Sequence, residues 1–377
     1  MGLNAARVTT LLDRVRREVD EGLLPSTQVA VGYEGEIVVS ECFGDTTPDT
    51  RYNIFSATKA LIATVMWQLF SEGRVDPSDT VATHFPEFAA NGKDSITIEQ
   101  VMTHQGGFPR APMGPPRWGD RDWRIERMAA WRLNWEPGTQ FEYHPTSAHW
   151  VLAELIERLD DRDYRESVRD RVLVPLELHR LALGVPEAEQ GRVADMVPVG
   201  EAPTPEEIEA TFGVPDYDLG EVTPDALTLF NRPEVRAVGV PGGGALSNAE
   251  DLARLYQALL HNRRPDGARF MDPSWLADGT GRIRCTLPEP VMGYPSNRSL
   301  GLVIAGDDGL SAMRGMGRTV SPRAFGHNGA AGQNVWADPQ SGLSFCYLTN
   351  GIDQNFIRES RRTVAIASTA GALTEPT

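Results

Sequence analysis

The sequence predicts an α+β fold, an α/β sandwich whose antiparallel sheet is built from the two ends of the chain. Three observations point there. Stretches that alternate or run apolar like strands cluster in the first and last thirds, at residues 27–33, 37–42, 300–305, 333–337 and 343–348. The middle of the chain carries helical stripes instead. Further helical patterns lie near both ends, positioned to flank the sheet. This divides the chain into an α/β domain, residues 1–72 with 239–377, and a mainly helical inserted domain, residues 73–238. At 377 residues the chain can bury a large core.

In order, residues 4–22 form an amphipathic helix with Val8, Leu11, Leu12, Val15 and Val19 on one side. Two strands then flank Glu34-Gly35-Glu36, a tight turn that makes them a hairpin. Residues 46–53 are a polar loop. Residues 53–71 read as one helix. Stepped at 100° per residue from Ser56, Ile62, Val65, Met66, Leu69 and Phe70 fill one half of the wheel, and Thr64, Gln68, Ser71 and Glu72 the other. A short helix starts in 96–102 and a loop follows at 103–109. Residues 110–122, rich in Pro, Gly and Arg, are expected to be exposed and mobile. Helices follow at 124–131, 147–158 and 164–174. Residues 184–236, dense in Pro and acidic residues, are expected to lie over the body and wall a pocket. After the glycine turn at 241–246, Ser247 as N-cap and Glu250 three residues on predict a capping box, with a helix to about residue 260. Asp338-Pro339-Gln340-Ser341-Gly342 joins the last two strands as a hairpin. A helix over 357–368 follows. No internal repeat is present.

The helix over 53–71 has one oddity. Lys59 falls inside its apolar half, beside Ser56, Ala63 and Met66, and is the only charge between Arg51 and Glu72. Burial lowers a lysine pKa, and the positive end of a helix opposes an ammonium further. Ser56, three residues earlier, projects from the same side. A serine beside a lysine able to lose its proton is a recipe for an activated nucleophile. The alternative is that Ser56 caps the helix and Lys59 snorkels to solvent. Tyr143 follows a Pro-Gly turn and precedes the helix at 147, where a phenol can point into a cleft. A nearby lysine charge would hold it closer to phenolate, so it could act as base and then acid. The alternative there is a packing tyrosine.

Composition excludes several functions. A net charge of −16 argues against nucleic acid and anionic membrane as partners. No run approaches the roughly 20 apolar residues of a membrane span. The first residues lack a signal-peptide core, so a cytoplasmic location is expected. Cys42, Cys285 and Cys346 have no C-x-x-C spacing and are expected to be buried free thiols. There is no G-x-S-x-G elbow, no H-E-x-x-H, and the seven histidines are scattered. No metal and no cofactor are expected. Gly242-Gly243-Gly244 lacks dinucleotide-binding spacing and reads as a turn. His104 is expected to support its loop. Phe108, Trp118 and Trp123 either line an acyl pocket or pack.

Three short motifs occur in order: Ser56-Ala57-Thr58-Lys59, Tyr143-His144-Pro145 and His327-Asn328-Gly329. With Met102–Gly107, Pro137–Tyr143, Gly243–Leu252 and Gly326–Gly342, they resemble the serine β-lactamase-like hydrolases over nearly the whole chain. The nearest branch is the class C β-lactamase-like, or family VIII, carboxylesterases, on a penicillin-binding-protein-like fold. The resemblance implies Ser56 as acyl-accepting nucleophile, Lys59 as its base or proton relay and Tyr143 as their acid/base partner. It also implies His327, Asn328 and Gly329 at the substrate, and an oxyanion hole of the Ser56 and Ala330 N–H groups. Gly329 would let the strand approach substrate unobstructed. Two departures bear on substrate. Pro145 replaces the amide-bearing Asn of the second motif. His327 replaces Lys, and neutral imidazole is a poorer anchor for a substrate carboxylate. Both favour small or medium carboxylic esters over β-lactams. Amide cleavage, acyl transfer, and a non-catalytic binding protein on this scaffold remain as alternatives.

Overall fold

The two strands at the centre of the sheet show what the alternation does. In Ser26–Tyr33, Val29 and Val31 face one core and Ala30 the other. In its antiparallel partner Leu343–Thr349, Phe345 and Tyr347 join the first core, Cys346 and Leu348 the second. A period of two therefore feeds two hydrophobic layers, as a sheet covered on both faces requires. The structure is a computed structural model that describes residues 2–214, 220 and 222–374. From edge to edge its six-stranded sheet runs Glu36–Gly44, Ser26–Tyr33, Leu343–Thr349, Asn334–Asp338, Phe325–Gly326 and Val303–Ile304, with every pairing antiparallel.

Helices Ala5–Asp20 and Phe356–Gly371 pack on one face. Leu11 and Val15 of the first meet Ile366 and Ala370 of the second in the core with Trp336. Helix Ala249–His261 covers the other face through Leu252, Leu255 and Tyr256. Behind it the helix Lys59–Ser71 is buried on nearly every side, against Ser147–Asp160 and Pro273–Gly281. Thr64 is buried with the apolar residues; only Gln68 and Ser71 reach the surface side.

Several local expectations are corrected. The N-cap of Ala249–His261 is Asn248, whose side chain accepts from Asp251 N–H at 2.9 Å. Ser247 ends a short strand, Ala245–Ser247, and Glu250 reaches Arg254 instead. Asn with an acid at the third helical position caps at least as well as Ser. The strand over 300–305 shrinks to Val303–Ile304. Residues 110–122 are not uniformly exposed: Ala111, Met113 and Trp118 are buried, and the Trp118 indole donates to Met113 O at 2.6 Å. The acidic stretch 184–236 folds into short helices and lays Met196 and Leu227 against Phe55 and Ala331 in a small separate core. Residues 215–219 and 221 of that stretch lie outside the described residues. Cys285 and Cys346 are buried and Cys42 half-buried, none in a disulfide.

Candidate active site

Ser56 sits where the backbone changes character. Tyr52–Asn53 is a strand paired with Ala245–Ser247, Phe55–Thr58 is a 3₁₀ turn, and the α-helix begins at Lys59. The single helix expected over 53–71 is thus replaced, because Phe55 at φ +43° breaks the right-handed path. The 3₁₀ turn serves the chemistry. At three residues per turn, positions i and i+3 eclipse, so the Ser56 and Lys59 side chains stack. Ser56 caps neither helical segment.

Lys59 does not snorkel; it is fully buried. Its Nζ lies 3.1 Å from Ser56 Oγ, 2.8 Å from Pro145 O and 2.6 Å from Gly242 O. Burial, and then the nearby Arg298 cation, hold its pKa well below the ordinary 10.5. The two carbonyls can only accept. They take the two N–H bonds of a neutral amine and leave its lone pair facing the Ser56 hydroxyl.

The Tyr143 ring lies 5.1 Å from Lys59 Nζ, 4.8 Å from the His104 ring and 5.3 Å from the Arg298 guanidinium. Its hydroxyl is buried beside Ser56, which draws the phenol pKa down, yet it makes no well-aligned hydrogen bond among the described residues. Burial outweighs Ser56 and Arg298 and pushes the pKa up to about 12. This corrects the expectation of a phenol held toward phenolate by a lysine charge. Lys59 supplies no such pull, and Tyr143 is a protonated acid at neutral pH. His104 supports this loop as expected, its Nδ1 accepting from His144 N–H at 3.2 Å.

The third motif forms the opposite wall. His327 Nδ1–H donates to Asn328 O at 3.0 Å, and Nε2 faces Arg298 Nη1 at 3.4 Å. Burial, Arg298 and Lys59 hold the imidazole neutral. The Asn328 side chain is engaged at both ends, donating to Gly315 O at 2.7 Å and accepting from Val335 N–H at 3.0 Å. Its observed work is to brace the loop rather than hold substrate. Gly329 is required by the chain itself, since a Cβ there would lie 2.1 Å from Ile54 O. Ser56 and Ala330 line one cavity of about 340 Å³ with Tyr143, His327 and Arg298. Ala331, next to Ala330, is left-handed at φ +55°. Non-glycine strain thus flanks both N–H groups proposed for the oxyanion.

Phe108 and Trp118 belong to the main core, Phe108 stacked on Trp131, and Trp123 packs against that core. None of the three lines the cavity. Arg298 was not foreseen from the sequence. Its one signal there is isolation, with no acid between Glu289 and Asp307. Among the described residues no three His, Cys, Asp or Glu side chains group to hold a metal ion. Nor is any helix among them long and apolar enough to cross a membrane.

A buried lysine against a serine at a helix start, behind a mixed sandwich, defines a β-lactamase-like serine hydrolase. The chain belongs to the beta-lactamase family, whose model matches residues 11–369. It is 28% identical to the esterase/beta-lactamase LipL of Mycobacterium tuberculosis, over 80% of this chain and 70% of that one. The structure of a penicillin-binding protein homolog from Caulobacter crescentus superposes with a TM-score of 0.79 at 28% identity, covering 98% of this chain and 99% of the other. A family VIII carboxylesterase superposes equally, TM-score 0.79 at 26% identity, covering 97% and 98%.

Proposed function

We propose that the protein hydrolyses small to medium carboxylic esters through an acyl-Ser56 intermediate. The observation that carries this reading is the buried Lys59 amine, its Nζ 3.1 Å from Ser56 Oγ and otherwise held by the carbonyls of Pro145 and Gly242. Ser56 Oγ attacks the ester carbonyl while its proton passes to Lys59 Nζ. The carbonyl oxygen becomes an oxyanion between the N–H groups of Ser56 and Ala330. As the C–O bond breaks, Tyr143 gives its proton to the departing alkoxide. A phenol near 12 is a stronger acid than an alcohol, whose pKa lies close to the roughly 15.7 of water, so this transfer is downhill. The proton held by Lys59 replaces the one Tyr143 has lost. Water then attacks acyl-Ser56 from the side the alcohol left, giving its proton to the same pair. Collapse returns a proton to Ser56 Oγ and frees the acid.

A fluorophosphonate probe should label Ser56, and Ser56→Ala should lose both labelling and hydrolysis of p-nitrophenyl butyrate. Persisting hydrolysis in that variant would sink the assignment, and failure of the wild type to label would favour a binding protein.

A further inference from the structure

Elsewhere in this protein buried guanidinium groups are matched with acids. Arg314 pairs with Asp308, Arg124 with Glu157, and Arg362 with both Glu18 and Asp353. Arg298, half-buried in the cavity wall, has no such match. Among the described residues no carboxylate pairs with it. Its contacts are the neutral His327 imidazole and the faces of Phe141 at 5.4 Å and Tyr143 at 5.3 Å. Its Nε is buried without an acceptor. The groups that act on it electrostatically are Tyr143, Tyr294 and Cys285, none a carboxylate. Among the described residues the one carboxylate lining the same cavity, Glu289, accepts from Val291 and Met292 N–H on its own loop. The other guanidinium lining it, Arg314, is already held by Asp308 and by Pro295 O.

A half-buried guanidinium whose Nε is shut off from water and left without an acid gains most from a ligand that completes it. Its planar fork suits a carboxylate, which accepts two parallel N–H bonds. Its position says which end of the substrate that carboxylate belongs to. The cation lies against Tyr143, the group that protonates the leaving alcohol in the mechanism above, and against His327. We propose that Arg298 anchors a carboxylate on the leaving-group side of the substrate, so that the protein prefers anionic esters to neutral ones. The inference rests on the ester-hydrolase reading for the bond that is broken. It also reverses the argument from His327. The cation lost from the third motif is restored from another segment, and the neutral imidazole positions it.

The test compares phenyl butyrate with 3-carboxyphenyl butyrate, which share acyl group and ring and differ in charge. In the wild type kcat/KM should favour the anionic ester by roughly tenfold to a hundredfold, the range of a charge-assisted contact. Arg298→Gln should bring that ratio close to one, and Arg298→Lys should keep part of it. A wild-type ratio near one, or a ratio unchanged in Arg298→Gln, overturns the proposal. So does a preference for phenyl hydrogen adipate, which carries its charge on the acyl side. Should Arg298→Gln fail to fold, added salt decides. KM for the anionic ester alone should rise with NaCl, and parallel behaviour of the two esters counts against the anchor. Failure of the hydrolase reading is separable, because it would show as no turnover of any ester and no labelling of Ser56. Binding then judges the anion site. By titration calorimetry on Ser56→Ala, 3-hydroxybenzoate should bind at least tenfold tighter than phenol, and Arg298→Gln should remove the difference. Equal binding overturns it.

Discussion

Lys59 and Lys93 are both withdrawn from solvent, and each amine has three oxygen acceptors around it. Around Lys93 all three are backbone carbonyls, of Ala90, Ala129 and Trp131. A carbonyl cannot donate, so only the ammonium, with three protons, satisfies that shell. Burial draws its pKa to about 8, still above neutrality, and the Phe88 ring lies 5.2 Å beneath it. Around Lys59 the third acceptor is a hydroxyl, which can donate in return, and a second cation stands nearby. One lysine ties a loop to a helix end and the other is the proposed base. Burial of the amine does not separate them; the third acceptor does.

Substitution should separate them sharply. Lys59→Met should lower kcat for p-nitrophenyl butyrate by about 10⁴-fold while circular dichroism stays native, since no buried charge is left unpaired. A wild-type rate would erase the distinction. Tyr143→Phe should cost about 10²–10³ in kcat, the loss of one positioned acid. An unchanged rate for a poor alkyl leaving group would remove it from the mechanism. Lys93→Met should keep its turnover and lose about 3 kcal/mol in urea unfolding, with three carbonyls left unbonded. Loss of activity at native stability would contradict the comparison.

The two lysines also differ in their pH signatures. The unfolded chain keeps Lys93 protonated to about 10.5, whereas the folded one releases that proton above about 8. Below 8 both states hold it, and stability does not vary on its account. Between 8 and 10.5 the unfolded state binds more protons, so unfolding free energy rises with pH. That rise should be smaller in Lys93→Met, and an identical slope would show that Lys93 does not titrate there. Lys59 acts on rate, because protonating it on the acid side removes the base. The smallest effect is expected at Ala331. Ala331→Gly relieves a left-handed alanine and should raise stability by about 1 kcal/mol in thermal unfolding. No gain would mean that the oxyanion loop carries no strain.

Much of the site was legible because it is local. Ser56 and Lys59 lie within one turn, and an isolated charge in an apolar stripe is visible as text. Arg298 was not, because what marks it is the absence of a partner among residues distant in sequence. Lys93 reads as an ordinary loop lysine in Asn91-Gly92-Lys93-Asp94 until carbonyls from 36 to 38 positions away close over it. The strain at Phe55 escaped notice since nothing in an aromatic side chain announces a left-handed backbone. Periodicity gave the longer strands and the long helices, but not the two-residue strand Phe325–Gly326 or the 3₁₀ turn that aligns serine with lysine. The choice between pocket and packing for the aromatics stayed open for a related reason. Phe108 and Trp118 look alike whether they face a ligand or a core.

Gly329 resting flush on Ile54 has a mechanical consequence. The expected His327-Asn328-Gly329 strand stops at Gly326, and it is the loop after it that meets the serine segment backbone to backbone at Gly329 and Ile54. Even a methyl group at 329 would act as a wedge, prying Ala330 away from Ser56 and widening the gap an oxyanion must fill. The spacing of the two proposed oxyanion donors is therefore set by a residue with no side chain, at a seam between parts of the chain more than 270 positions apart.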